Sequence, residues 1–480
     1  MIFAQNFPGN DFSFNMFSKF SLSLISATLF CSLGGFSQGH NIKAVIHNQK
    51  DSIAFLGHHF SNQKYVDDTA RVINGIATFT GENKLTEGIY FYYSPTVYFE
   101  LLIGEQNFTI EGTAPDVVAT AKFIGSPINE GFYEMQKYTS KRRKEGKFLQ
   151  NKIDSAVTSE QRAELRMELA RLNEEVKTLQ IRLQEKYPGS LLDRLIRVMQ
   201  TPSVPPVPDG VDAIWFKYSY YRDHFWDGIS IADPGLLRSP MLSNKIMDYL
   251  DNVIIQQADS VIIAVDQLIQ DSKSNDEAFR YLLITLTNKY ESSPVMGFDK
   301  VFVHLVDQYY LTNQASWTDT ETLKKLKERA ASIRPNFIGN PAPAFTLQDT
   351  LGIDFSLYDI QADYTILYFY DPDCGHCKKA TPILYEAYPE LSAKGAEVLA
   401  ICATTNSKRW HKFIVEYDLD WLNLADMESK TNIKYYYDVR TFPTVYILDK
   451  DKKILIKKIA SEDIPQIIDQ LIALDKAKNN

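Results

Sequence analysis

An apolar run, Thr365-Ile366-Leu367-Tyr368-Phe369, breaks at Tyr370-Asp371-Pro372-Asp373 and opens directly onto Cys374-Gly375-His376-Cys377-Lys378-Lys379. Few chains can be built around such a stretch. The run reads as a buried strand ended by turn residues, and a Cys-x-x-Cys that starts a helix just after it is the layout in which a dithiol becomes redox-active. At the first turn of that helix the unpaired N–H groups and the positive dipole end favour thiolate over thiol, which makes Cys374 the nucleophile. Cys377, one turn later and more buried, is positioned to attack the mixed disulfide and release product. The other reading of the motif is a zinc site of Cys374, Cys377 and His376. Such sites normally bring a second ligand pair, and none follows here.

The chain has only four cysteines in 480 residues. That is too few for a disulfide scaffold, so the pair matters for reactivity rather than for stapling the fold. Cys402 lies in the apolar run Val398-Leu-Ala-Ile-Cys-Ala403 and reads as a small buried hydrophobe. The length predicts roughly two to four domains, and 45% apolar with 23% charged residues is a globular composition. A net charge of −9 disfavours a phosphate-tracking groove, so nucleic acid is not an expected partner. No cofactor motif is present, so no cofactor is expected. His58-His59 are adjacent, and on a strand they point to opposite faces, which is unsuited to holding one metal ion; no metal site is assigned.

Residues 1–38 are expected to be a secretory signal. Met16 and Lys19 form a short n-region, Leu22 to Leu33 the apolar centre, and Gly35-Phe36-Ser37 the small residues before Gln38. Met1 to Asn15 lacks positive charge, which points to Met16 as the alternative start. The apolar run falls short of the ~20 residues a bilayer needs, so cleavage is expected and membrane association is not required. Phe30 before Cys31 is wrong for lipoprotein processing, so Cys31 is expected to leave with the signal. The mature chain is expected in the periplasm or cell envelope.

Residues 39–126 alternate in short runs, among them Ile42, Ala44 and Ile46, then Phe99 and Leu101, then Phe108 and Ile110, which predicts a small antiparallel β domain. Asp67-Asp68-Thr69, the Gly75 to Gly81 segment and Gly88-Ile89-Tyr90 resemble a β module that precedes thioredoxin domains in exported proteins of Bacteroidetes-type bacteria. Residues 127–335 are read as an α-helical domain. Leu165, Leu169, Leu172, Val176, Leu179 and Leu183 recur at steps of four and three, Thr158 to Gln161 supplies a capping box, and Pro188-Gly189 ends the helix. A hairpin with the segment around Phe148, Leu149 and Ile153 is expected rather than a partner-binding coiled coil. A stiff Pro-rich link at 201–210 precedes an aromatic cluster from Trp215 to Trp226, expected to pack as core rather than line a ligand groove. This segment resembles an uncharacterised helical module found before thioredoxin domains.

From 336 to 480 strand and helix patterns alternate: strand 365 to 370, helix 375 to 393, strand Glu397 to Ala403, helix 407 to 417, strand Thr444 to Leu448, strand Ile454 to Ile459 and a last helix from Glu462 to Leu474. With the opening Pro341-Ala-Pro-Ala-Phe-Thr-Leu347, with Cys374-Gly-His-Cys377, and with Thr441-Phe442-Pro443-Thr444 at the proper distance, this region resembles the TlpA and ResA-like branch of thioredoxin-fold proteins. The expected fold class is therefore multidomain: a small antiparallel β domain, an α-helical middle and a C-terminal α/β thioredoxin-like domain.

The resemblance implies that Pro443 is the cis-proline facing the Cys pair and that Phe442 offers its backbone to an incoming peptide, with Asp373 beside the substrate platform. It also implies protein disulfides as substrates and a membrane-bound redox partner as electron source. Two positions depart from the family. Tyr368 stands six before Cys374, where thioredoxin has a buried Asp, and Ala380 stands where the ResA-like branch has a Glu. The proton acceptor for Cys377 is left among Asp371, Glu386 and water. His376 adds a donor-bearing ring beside the sulfur while Asp373 adds a negative charge that opposes the thiolate. Cys-Gly-His-Cys matches protein disulfide isomerase, whose potential is about −180 mV against about −270 mV for thioredoxin. Kinship points to a reductase, and the dipeptide also permits oxidase or isomerase work. A reading of a different class is a binding or assembly protein whose task lies in residues 40–335.

Overall fold

The computed structural model describes residues 39–479, so the expected signal over 1–38, with Met16 and Cys31, lies outside the described residues. The chain divides into two compact units. The described part of the first ends at Val253 and regains Asp271–Ala278; the second comprises Ile254–Gln270 and the chain from Phe279 onward. The helical segment 127–335 is thus divided between the two.

The first unit opens with two four-stranded sheets. One runs in the order Ile76–Gly81, His40–His47, Asn107–Thr113, Lys122–Ile124; the other in the order Gln63–Arg71, Ile53–Phe60, Gly88–Tyr93, Tyr98–Ile103. Ile42, Ala44 and Ile46 are each at most 1% exposed, as their alternation requires for a strand with one buried face. Five of the six strand pairs that build these sheets are antiparallel, as expected, but His40–His47 and Asn107–Thr113 run parallel. Alternation reports which face is buried and carries no information on strand direction, which a long connection is free to reverse. On Ile53–Phe60 the two histidines part company: His58 Nδ1 meets Asp67 at 2.8 Å, and His59 Nε2 meets Glu100 at 2.9 Å.

Helices Pro127–Ser155 and Ser159–Lys186 form the expected hairpin, closed by Arg142 to Glu175 at 2.7 Å and by Arg182 to Glu134. Thr158 Oγ1 accepts the Gln161 N–H at 3.2 Å and so caps the second helix. The aromatic cluster behaves differently from expectation. Phe225 is core, packed on Tyr249 at 5.1 Å with the Lys245 ammonium 4.3 Å above its ring, but helix Ala213–Asp223 buries no residue and Trp215 is 56% exposed. The helix follows the extended Pro-rich link, and its rings stack on one another along the helix instead of entering the core.

In the second unit a seven-stranded sheet has the order Asp354–Ser356, Thr346–Gln348, Leu422–Ala425, Ala396–Cys402, Tyr364–Tyr370, Thr444–Leu448, Ile454–Lys457. Tyr364–Tyr370 is buried along its whole length, lying parallel to Ala396–Cys402 and antiparallel to Thr444–Leu448. Its even members Ile366, Tyr368 and Tyr370 enter one core with Cys377, Trp410 and Phe413. Leu367 and Phe369 enter the other with Leu399, Ile401 and Tyr446. Among the described residues no helix is long and apolar enough to cross a membrane.

Helices Asp299–Leu305 and Thr320–Ile333 belong to this same unit and are tied to the sheet by buried charge. Lys457 is paired with Asp299 and donates to the Asn336 carbonyl at 2.6 Å. Asp438, with 3% of its side chain exposed, takes Arg329, Lys458 and Arg440. Burial opposes its charge, but Lys458 and Arg329 prevail and hold the Asp438 carboxyl below the usual range. A carboxylate depressed in this way stabilises the fold above its unfolded pKa and loses that contribution as pH falls through the folded value. Asp438→Asn is therefore expected to cost the second unit about 3 kcal/mol at pH 7, because it leaves the buried Arg329 with only the Glu291 carboxylate at 3.5 Å. Urea unfolding followed at several pH values checks this, and the cost should begin to shrink below about pH 4, where the unfolded chain takes up the proton, and fade as pH falls through the lower folded value.

Candidate active site

Tyr370 ends the inner strand Tyr364–Tyr370 in register with Cys402 on the neighbouring one. Asp371 then closes a turn. Its carbonyl accepts the Cys374 N–H at 3.0 Å, and its Oδ1 accepts the Asp373 N–H at 2.8 Å. An Asp at the head of the turn and a Pro that needs no hydrogen-bond acceptor suit this geometry. The turn delivers Cys374 as the residue capping helix Gly375–Ala393, with φ −76° and ψ 123°.

Cys374 is half-buried and Cys377 is 0% exposed; both are free thiols. The Cys374 thiol donates to the Phe442 carbonyl at 3.3 Å, and the peptide bond between Phe442 and Pro443 is cis. The Asp371 N–H donates to Cys377 Sγ at 3.5 Å. Burial pushes the Cys377 thiol up to about 12, with the Asp371 N–H acting in the opposite sense. Four of the residues singled out in the sequence, Cys374, Cys377, Phe442 and Pro443, are thus drawn together at the ends of strands Tyr364–Tyr370 and Thr444–Leu448.

The other two sit on the rim. His376 is exposed and its ring makes no hydrogen bond among the described residues. Asp373 is exposed and pairs at 2.5 Å with Arg409, from helix Ser407–Glu416. Arg409 was not legible in the sequence: nothing near it marks a partner 36 residues away, and only the fold brings the helix over the motif. A Cβ at Gly375 would meet nothing within 4 Å, so no part of this chain presses on that glycine.

At the position of the missing buried Asp, Tyr368 shares a hydrogen bond with Thr381 Oγ1 at 2.8 Å, and both side chains are fully buried. Burial raises the Tyr368 phenol far above its ordinary range, so it stays neutral and takes no proton at physiological pH. Of the two carboxylates left open by the sequence, Glu386 is exposed further along the helix, whereas Asp371 is joined to Cys377 through its own N–H. Cys402 is 3% exposed, and burial pushes it up to about 12. It borders a cavity of about 220 Å³ with Phe369, Ile401 and Lys434, which includes neither Cys374 nor Cys377.

Residues 338–456 match the AhpC/TSA family, and residues 158–336 match a domain of unknown function, DUF5106. The thiol-disulfide oxidoreductase ResA of Bacillus cereus (strain ZK / E33L) is 32% identical over 130 residues, which is 27% of this chain and 74% of that protein. A domain of a possible thiol-disulfide isomerase from Cytophaga hutchinsonii is 38% identical, with 29% of this chain and 97% of that one covered and a TM-score of 0.28. A thioredoxin-like protein from Bacteroides caccae is 23% identical over 56% of this chain and 98% of that one, with a TM-score of 0.46.

The burial of Cys377 has a spectroscopic consequence. In reduced protein carrying carbon-13 at cysteine Cβ, the Cys377 resonance should not titrate between pH 6 and pH 10, roughly a unit and a half beyond the ordinary thiol midpoint of about 8.5. A midpoint below 9 at Cys377 would contradict the geometry.

Proposed function

Through its C-terminal domain the chain belongs to the ResA thiol-disulfide oxidoreductases, and from that membership we propose that it is an exported reductase of protein disulfides working through Cys374 and Cys377. The observation that carries this reading is the pairing of an accessible thiol at a helix N-terminus with a buried one a single turn below it. The first favours attack, and the second is kept as a protonated thiol until the mixed disulfide forms.

The Cys374 thiolate attacks one sulfur of the substrate disulfide; the S–S bond breaks, and the other substrate sulfur leaves as a thiolate that takes up a proton. Cys377 then gives its proton to Asp371 or to water and attacks Cys374 Sγ. The second substrate sulfur departs, leaving the substrate reduced by two electrons and the Cys374 to Cys377 disulfide formed. Resolution is helped by the Asp371 N–H, which points at Cys377 Sγ and stabilises the charge developing there. Phe442 and Pro443 border the reacting sulfur, and the Phe442 carbonyl that holds the resting Cys374 thiol is free to pair with an incoming extended segment. A membrane-bound dithiol partner restores the reduced state, since the chain has no cofactor motif. The expected signal over 1–38 supports work in the periplasm or cell envelope.

Oxidase or isomerase work is the second reading, favoured by the Cys-Gly-His-Cys dipeptide alone. Two substitutions test the leading one. Wild-type protein should reduce insulin disulfides when supplied with dithiothreitol, and Cys374→Ser should lower that rate at least a hundredfold. Cys377→Ser should accumulate a mixed disulfide with the substrate, visible by mass spectrometry. Equal turnover by wild type and Cys374→Ser would remove the pair from the reaction and favour the binding or assembly reading.

A further inference from the structure

The whole chain carries a net charge of −9, yet exposed lysines gather on the two helices that border the Cys pair. Lys378 and Lys379 stand exposed on the first turns of helix Gly375–Ala393. Helix Ser407–Glu416 is held beside the motif at two points: the buried Trp410 Nε1 donates to the Tyr370 hydroxyl at 3.0 Å, and Arg409 reaches Asp373 at 2.5 Å. Because Trp410 and Phe413 face the core, Lys408 and Lys412 share the outer face one turn apart, and both are exposed. None of the four lysines has an ion-pair partner among the described residues.

The acids of these segments do not offset them. Asp373 is covered by Arg409, the half-buried Asp371 accepts the Asp373 N–H, Glu390 is paired with Lys394, the exposed Glu386 lies two turns beyond Lys378, and Glu416 lies one turn beyond Lys412, at the helix end away from Arg409. In the adjoining loop Glu428 is paired with Lys430, and Asp426 is turned onto the N–H groups of Lys430 and Thr431. What an approaching chain meets is a set of exposed lysines on the helix that Cys374 begins and on the helix that Arg409 ties to Asp373. Exposed unpaired charges of one sign act on encounter rates rather than on the bonds made afterwards, and they favour partners of the opposite sign.

We propose that this rim selects acidic polypeptides: disulfides whose flanking residues are rich in Asp and Glu are the preferred substrates, with Lys408 and Lys412 drawing them to Cys374. The proposal rests on the reductase reading, and its test separates the two. Pre-reduced full-length protein is mixed with two peptides that close the same disulfide ring, one flanked by glutamates and the other by lysines. Uncharged hydroxyethyl disulfide serves as a third substrate. At low ionic strength the acidic peptide should react about tenfold faster than the basic one, and the advantage should fade by about 1 M salt, where screening acts over about 3 Å. A Lys408→Glu, Lys412→Glu variant should lose that preference and keep the wild-type rate with hydroxyethyl disulfide. Equal rates for the two peptides in the wild type, or a preference undiminished in the variant, would overturn the proposal. Inertness toward all three disulfides would instead overturn the reductase reading on which it stands.

Discussion

The strand Tyr364–Tyr370 is hydrogen-bonded on both sides and buried on both faces, and the site depends on that confinement. A strand with no solvent-facing residue has one register and one exit direction, because a slip by one position would exchange the two cores. Its last residue therefore fixes where the Asp-Pro-Asp turn begins, and the turn fixes where helix Gly375–Ala393 starts. Cys374 caps the helix and Cys377 falls beneath it as consequences of that chain of constraints. The sheet does not act alone: Lys457 with Asp299, and Asp438 with Arg329, bind the last helices before residue 336 to the same unit.

Two thiols a single turn apart acquire different chemistry from burial. Cys374 is half-buried and touches the Phe442 carbonyl, while Cys377 is shut off from water and pushed up to about 12. In the proposed reaction this asymmetry sets the order, with the accessible sulfur meeting the substrate and the other waiting beneath it. Where thioredoxin has a carboxylate, this chain has a neutral Tyr368 bonded to Thr381. Of the two carboxylates considered for the proton in the proposed reaction, only Asp371 is joined to Cys377, and that through its backbone N–H.

Much of the C-terminal domain was legible because its strands are apolar enough to be buried whole and its helices are closed by clear turn residues. The strand Leu422–Ala425 was missed: four residues with a buried Asn423 have no pattern of their own, and the strand exists through its pairing with Ala396–Cys402. The short hairpin of Thr346–Gln348 and Asp354–Ser356 escaped for the same reason. In the first unit, alternation located His40–His47 but could not show that it runs parallel to Asn107–Thr113. At the site, the cysteines and the Thr-Phe-Pro-Thr loop were readable because their residue types carry the chemistry. Arg409 was not, because an arginine in a helix has no sequence mark that names Asp373 as its partner.

As the proposed reductant, Cys374 and Cys377 form one reversible two-electron couple poised for reduction. Equilibration in glutathione buffers, with the redox state read by mass after alkylation, tests it most directly. A single transition is expected that fits two electrons and lies below about −200 mV, on the reducing side of the protein disulfide isomerase value. A transition well above about −180 mV would place the couple among oxidants, and the absence of any disulfide between these two residues under oxidising buffer would contradict the claim outright.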